Sequence, residues 1–255
     1  MLKAVAVSLS VKFKVVWYES EDEEESNPID EVNAFMSYGL CQMAGGVPLH
    51  RSVMNRGFGF SAPLPRYRDM PPSAVGKVVT LNKLVLTAPY RSTRFVVVLP
   101  GDSNLTVRTL ADLSGKRILV EQGTVPGAIA MMYQGGVLRQ KLDLVPPGPG
   151  TLWRLEVGQH AATLIELDKF DGHRKQNRIT KLRLSGYEHR IRYNIGLVTI
   201  DRHAELAAHA SDLLRILVAD GRVAAFAKRA GVTYRPPLTE TAMRGQLSFR
   251  ELATD

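Results

Sequence analysis

From residue 78 onward the apolar positions come in short strand-length runs separated by stretches with helical spacing. Val78–Thr87 and Arg94–Leu99 read as strands, 109–113 as a short helix stopped by Gly115, and 117–121 as a strand buried through Ile118, Leu119 and Val120. A helix is predicted over 124–133, a strand over Leu142–Val145, a turn in Pro146-Pro-Gly-Pro-Gly150, a helix over 152–157 and a strand over 162–167. Asp201 is expected to cap a long amphipathic helix with Leu206, Ala210, Leu213, Leu214 and Leu217 on one face; it pauses at Asp220-Gly221 and resumes over 223–230. Strands alternating with helices predict an α/β fold with a mostly parallel sheet covered on both faces.

The first third is less regular. Val11, Phe13, Val15 and Trp17 alternate with Lys12, Lys14 and Val16 and predict a strand, followed by an acidic loop at Glu19, Glu21, Asp22, Glu23, Glu24 and Glu25. Val32, Phe35, Met36, Leu40 and Met43 have helical spacing over 29–43, with Gly45-Gly46 as the stop. Residues 47–76, rich in Gly, Pro and Arg, show no period and are expected to be a long loop. Lys3 followed by an apolar run resembles the start of a secretion signal. Lys12 and Lys14 interrupt it and no small-x-small cleavage site follows, so it is read as structure.

Composition narrows the function classes. A chain of 255 residues, 45% apolar and 23% charged, buries a core large enough for one domain or two small ones. No apolar run approaches the roughly 20 residues that a spanning helix requires. The single cysteine, Cys41, forms no disulfide within the chain and no Cys-rich zinc site; in its apolar setting it reads as a small hydrophobe. A net charge of +8 favours anionic partners or surfaces. The basic stretch Arg174, Lys175, Arg178, Lys181, Arg183, Arg190 and Arg192 carries no nucleic-acid module or aromatic face, so it reads as solvated surface and no nucleic-acid partner is expected. HExxH, GxSxG and phosphate-loop motifs are absent, which argues against an enzyme. Glu166, Asp168, Asp171 and His173 have metal-donor chemistry but read as ordinary polarity. Neither a metal nor a cofactor is expected.

Particular segments carry a resemblance. Leu86-Thr-Ala-Pro-Tyr90, the strand after it, Ala111-Asp-Leu-Ser-Gly-Lys116, Ile118-Leu-Val-Glu-Gln-Gly-Thr124 and the late helix at Asp220-Gly221 together resemble type II solute-binding proteins of family 3, over residues 80–237. The resemblance implies a two-lobed periplasmic-binding-protein type II fold, with residues 1–93 and 197–255 in the first lobe and 94–196 in the second. The crossing strands would lie near Arg94–Leu99 and 192–198. It also implies a monomeric periplasmic protein that closes on a small polar or amino-acid-like solute and delivers it to the membrane subunits of an ABC importer.

On that pattern Gly123 and Thr124 would offer donors to an anion at a helix start, and Glu166 would pair with an ammonium group at a strand exit. The arginine usual before the Leu-Thr-x-Pro-Tyr segment is replaced by Thr80, with Lys77 and Lys83 nearby. Arg91 and Arg94 are the candidate substitutes, and Tyr90 could stack on the solute. Ala161 also replaces the acid usual before Glu166. These departures leave two alternatives. Pro89-Tyr-Arg-Ser-Thr93, Gly186-Tyr187 and Asn194-Ile-Gly196 are similar to accessory proteins of periplasmic quinoprotein methanol dehydrogenases, which would bind a protein partner. More remotely, some relatives of the fold are dehydratases using cleft carboxylates, and Glu166 would then be an acid or base.

Overall fold

The computed structural model describes residues 1–18, 28–49, 58–148, 150–239 and 247–255. The acidic run from Glu19 to Glu25 lies outside them. In chain order the helices are α1 (Leu2–Ser8), α2 (Pro28–Tyr38), α3 (Val125–Met132), α4 (Gly150–Val157), α5 (Leu167–Gln176), α6 (Ala204–Ala219), α7 (Arg222–Ala230) and α8 (Phe249–Leu252). The strands are β1 (Ala44–Pro48), β2 (Ser61–Pro63), β3 (Val78–Thr80), β4 (Leu84–Leu86), β5 (Arg91–Leu99), β6 (Ile118–Glu121), β7 (Leu142–Val145), β8 (Ala162–Glu166) and β9 (Arg183–Ile200).

Two compact units divide the chain. Unit 1 comprises Met1–Ser92, Tyr193–Ala224 and Pro236–Gly245; unit 2 comprises Thr93–Arg192, Ala225–Arg235 and Gln246–Asp255. Strands β5 and β9 each run through a unit boundary. Residues 225–235 and 246–255 group with unit 2, whereas the sequence reading put all of 197–255 with residues 1–93. Asp171, buried in α5, accounts for part of this by accepting from the amide and the hydroxyl of Thr233.

In unit 1 the end of β9 pairs antiparallel with β1 on one side and with β4 on the other. Helix α2 lies between two apolar clusters. Met36 packs with Val47, Leu84, Val198 and Ile200, while Phe35 packs with Leu64, Ala74 and Leu81. Cys41 touches both clusters, and burial pushes its thiol up to about 11, so it is a packing residue rather than a nucleophile at neutral pH.

Several sequence expectations are corrected here. Residues 11–17 form no strand. Val11, Phe13, Val15 and Trp17 are exposed, and only Tyr18 makes a bridge, to Tyr67. Helix α2 ends at Tyr38, because Gly39 adopts φ +89°; Gly45 and Gly46 belong to β1, where Gly46 at φ +82° sits in a bulge. The stretch 47–76 is not all loop, since β2 lies within it and pairs with β3. The strand expected over 78–87 is two strands. Asn82 turns the corner between them, its amide donating to Ser37 Oγ and its carbonyl accepting from Asn33. Asp201 starts a single 3-10 turn and accepts from the Arg202 amide, while α6 begins only at Ala204.

Unit 2 carries the strand order β5-β8-β6-β7, with β9 beside β5. Strand β5 is antiparallel to β8, with Phe95 opposite Glu166, whereas β8, β6 and β7 run parallel. Val96, Val98 and Ile165 pack on one face against Leu152 and Leu155 of α4 and Leu167 and Phe170 of α5. Helix α3 packs against β6 and β8. Helix α5 was not expected, because its apolar positions are sparse and its buried face includes Asp171 and His173.

A polar knot fastens residues 247–255 to unit 2. The Asp255 carboxylate accepts from the Tyr133 hydroxyl at 2.5 Å, the Tyr187 hydroxyl at 2.8 Å and the Leu110 amide at 2.9 Å. Burial, reinforced by Asp255, pushes Tyr133 up to about 12 and raises Tyr187 as well. An unfolded chain releases these phenolic protons near pH 10, about the free tyrosine value, whereas the folded chain retains them. Their stabilising contribution is therefore full below about pH 10 and declines above it, that of Tyr133 being lost as the pH passes about 12. Thermal melts across that range should show falling stability, and Tyr187→Phe should flatten the fall; an unchanged slope in the variant would refute the assignment.

Candidate functional site

The chain order within unit 2 creates a place for a ligand. From β6 the connection through α3 leads outward to β7; from β7 the connection through α4 leads back across to β8, on the other side of β6. The connections leaving the carboxyl ends of β6 and β8 thus diverge, and in open α/β sheets such a switch point leaves a crevice outside the strand ends.

Sequence-predicted residues line this edge. Glu121 ends β6 and Gly123-Thr124 follows it; Glu166 ends β8, and Arg94 immediately precedes Phe95, the partner of Glu166. Gly123 adopts φ +69°, the left-handed turn that lets α3 start immediately after the strand. Thr124 is the N-cap of α3. Its hydroxyl accepts from the Gly127 amide at 3.1 Å and donates to the Glu121 carbonyl at 2.8 Å, so its single proton is spent inside the turn. Pro126 has no N–H and the Gly127 amide is taken by Thr124 Oγ1, so in the first turn of α3 the donor left for a ligand is the Val125 amide. Thr124→Val is expected to cost about 1 kcal/mol of stability through loss of the cap, read as a lower melting temperature. An unchanged melt would show that the cap contributes nothing.

Glu166 is half-buried and occupies the N-cap position of α5 without capping it through its side chain. Arg94 is nearly covered. Its Nε lies 3.5 Å from Glu188 Oε2, and the same carboxylate pairs with Arg235. Burial first, then the nearby Arg192, pulls the Arg94 guanidinium below its usual value. The remaining two candidates belong to unit 1. Tyr90 is 9% exposed and its amide donates to the Ile195 carbonyl, while the Arg91 guanidinium lies 6.0 Å from the centre of the Tyr90 ring. Lys77 lies over the Tyr38 ring, and Thr80 is exposed in β3. The suspected metal donors diverge: Asp171 binds Thr233, while His173 packs edge-on against Trp153. Among the described residues no three such donors converge.

Comparison with solved structures identifies the architecture. The ligand-binding core of GluR0 in complex with L-glutamate matches with a TM-score of 0.60 at 16% identity, over 89% of this chain and 85% of that one. A histidine kinase sensor domain with similarity to periplasmic binding proteins matches at 0.57 and 16%, over 92% and 85%. The fold is that of periplasmic binding proteins. The substrate-binding protein AbpA of an amino acid ABC transporter, from Streptococcus pneumoniae and bound to L-arginine, also matches, at 0.58 and 16% over 90% and 81%. No family model and no curated protein matches the sequence.

Within this periplasmic-binding-protein fold, the unit 2 edge holds two residues that the sequence reading gave no role. Glu121, 5% exposed, pairs with Lys169 of α5 and also accepts from Thr151 Oγ1 at 2.8 Å and from the Gly148 amide at 3.3 Å. One carboxylate thereby ties together the connections that follow β6, β7 and β8. Nothing in the sequence signals this pair, because the position of Lys169 in the first turn of a helix, where the dipole disfavours a cation, emerges only with α5 itself.

Proposed function

We propose that this protein captures a small polar, amino-acid-like solute at the carboxyl edge of the unit 2 sheet, closes its two units on it, and presents it to the membrane subunits of an ABC importer outside the cytoplasmic membrane. The observation that carries this reading is the placement of Gly123-Thr124 and Glu166 at the exits of β6 and β8, around the switch point, with Arg94 next to Phe95, the β5 partner of Glu166. An anionic group of the solute accepts from the Val125 amide at the start of α3, and an ammonium group pairs with Glu166. The neighbours bound to L-glutamate and L-arginine support a solute of this size and polarity.

Closure requires that the solute favour the closed state by its differential affinity. Taking a mostly open population to a mostly closed one needs about 5.5 kcal/mol for a full hundredfold reversal in each direction. Native mass spectrometry of gently purified protein, followed by a thermal-shift screen of amino acids, polyamines and organic acids, tests the reading. A saturable rise in melting temperature with one of these compounds is expected. No shift with any of them at millimolar concentration would overturn it.

A further inference from the structure

The Glu121–Lys169 ion pair spans the switch point, joining the end of β6 to the first turn of the helix that follows β8. Four features mark Lys169 as more than a counter-ion. Glu121 already has the Thr151 hydroxyl and the Gly148 amide as donors, so its lone pairs do not depend on the lysine alone. Lys169 stands where the α5 dipole opposes a positive charge, a placement with a local cost. Its side chain is 37% exposed, and an ammonium has three donors, of which one goes to Glu121 and two remain. Because Glu121 is buried, that ammonium is held in place before any solute arrives, and a flexible-stemmed point charge can serve an oxygen of varied geometry.

We propose that Lys169 sets the charge of the solute: the carboxyl edge of unit 2 takes a small solute of net negative charge, one of whose carboxylate oxygens accepts from the Lys169 ammonium. This rests on the solute-binding reading and narrows it. The ammonium is then shared between two carboxylates, one built in and one arriving with the solute. A cationic solute meets a like charge at the same place, offset only by the one built-in carboxylate.

The test is calorimetric titration of the full chain with glutarate, L-glutamate, L-arginine and putrescine as probes. Glutarate or L-glutamate is expected to bind at least about tenfold more tightly than L-arginine or putrescine. Lys169→Met should weaken the preferred anion by about 10- to 100-fold, and Lys169→Arg should retain most of its affinity. Because methionine leaves Glu121 buried and unpaired, the paired variant Glu121→Gln/Lys169→Met, with its melt checked, removes both charges and should show the same loss. The inference is overturned if putrescine or L-arginine binds best, or if the folded paired variant keeps the parent affinity for the anion; in either case solute binding itself stands. Binding of none of the four probes also overturns this inference, while the wider thermal-shift screen decides separately whether the solute-binding reading falls with it.

Discussion

Gly127→Ala is expected to destabilise the protein by about 2 to 3 kcal/mol, a fall in melting temperature of roughly 5 to 10 °C. The reason lies in the turn that forms the candidate site. An added Cβ at position 127 would stand 2.2 Å from the Glu121 carbonyl oxygen and 3.3 Å from Thr124 Oγ1. The first obstacle is backbone and cannot rotate away, so either β6 or the start of α3 must shift. Gly123 differs: an added Cβ there meets nothing within 4 Å, and only its φ of +69° favours glycine. Gly123→Ala should therefore be the milder of the two, at about 1 kcal/mol. Comparing the two melts separates close approach from conformation, and equal effects would contradict the geometry. The turn that Gly127→Ala distorts also places the Val125 amide, so solute affinity should fall with stability.

Glu166→Ala is expected to weaken an amine-bearing solute by about 2 kcal/mol, close to 30-fold, because the solute's ammonium loses its charged acceptor as it is desolvated. Titration of the variant with L-glutamate and glutarate separates this effect from the Lys169 contact. Glutarate has no amine, so its affinity should change little while that of L-glutamate falls. If both retain the parent affinity, Glu166 does not touch the solute. If both fall equally, the substitution has disturbed the edge itself.

The parallel part of unit 2 was legible because its signals are local. Ile118, Leu119 and Val120 form an unbroken buried run, and Gly123-Thr124-Val-Pro126 spells a tight turn, an N-cap and a proline in the first helical turn. The failures have physical causes. Alternation over 11–17 specifies how side chains would partition on a strand, but a strand also needs a ladder, and none forms there among the described residues. The break between β3 and β4 depends on Asn33 and Ser37, more than 40 positions away in the chain, gripping Asn82. Helix α5 hides its inward face in Asp171 and His173, which read as solvent-facing until Thr233 and Trp153 are seen to cover them.

Legibility of the site divides in the same way. Thr124 and Glu166 were recognisable from strand-exit patterns, yet the fold engages the Thr124 hydroxyl within the turn and leaves the donor role to the Val125 amide. Glu121 and Lys169 are 48 positions apart, and only the parallel register of β6 and β8 brings their connections together.

Amide chemical shifts recorded while L-glutamate is titrated into the isotope-labelled chain give the most direct test. Saturable movement concentrated at Gly123, Thr124 and Val125 and at residues 166–169 is expected. Saturable binding that leaves both of those segments unmoved would contradict it.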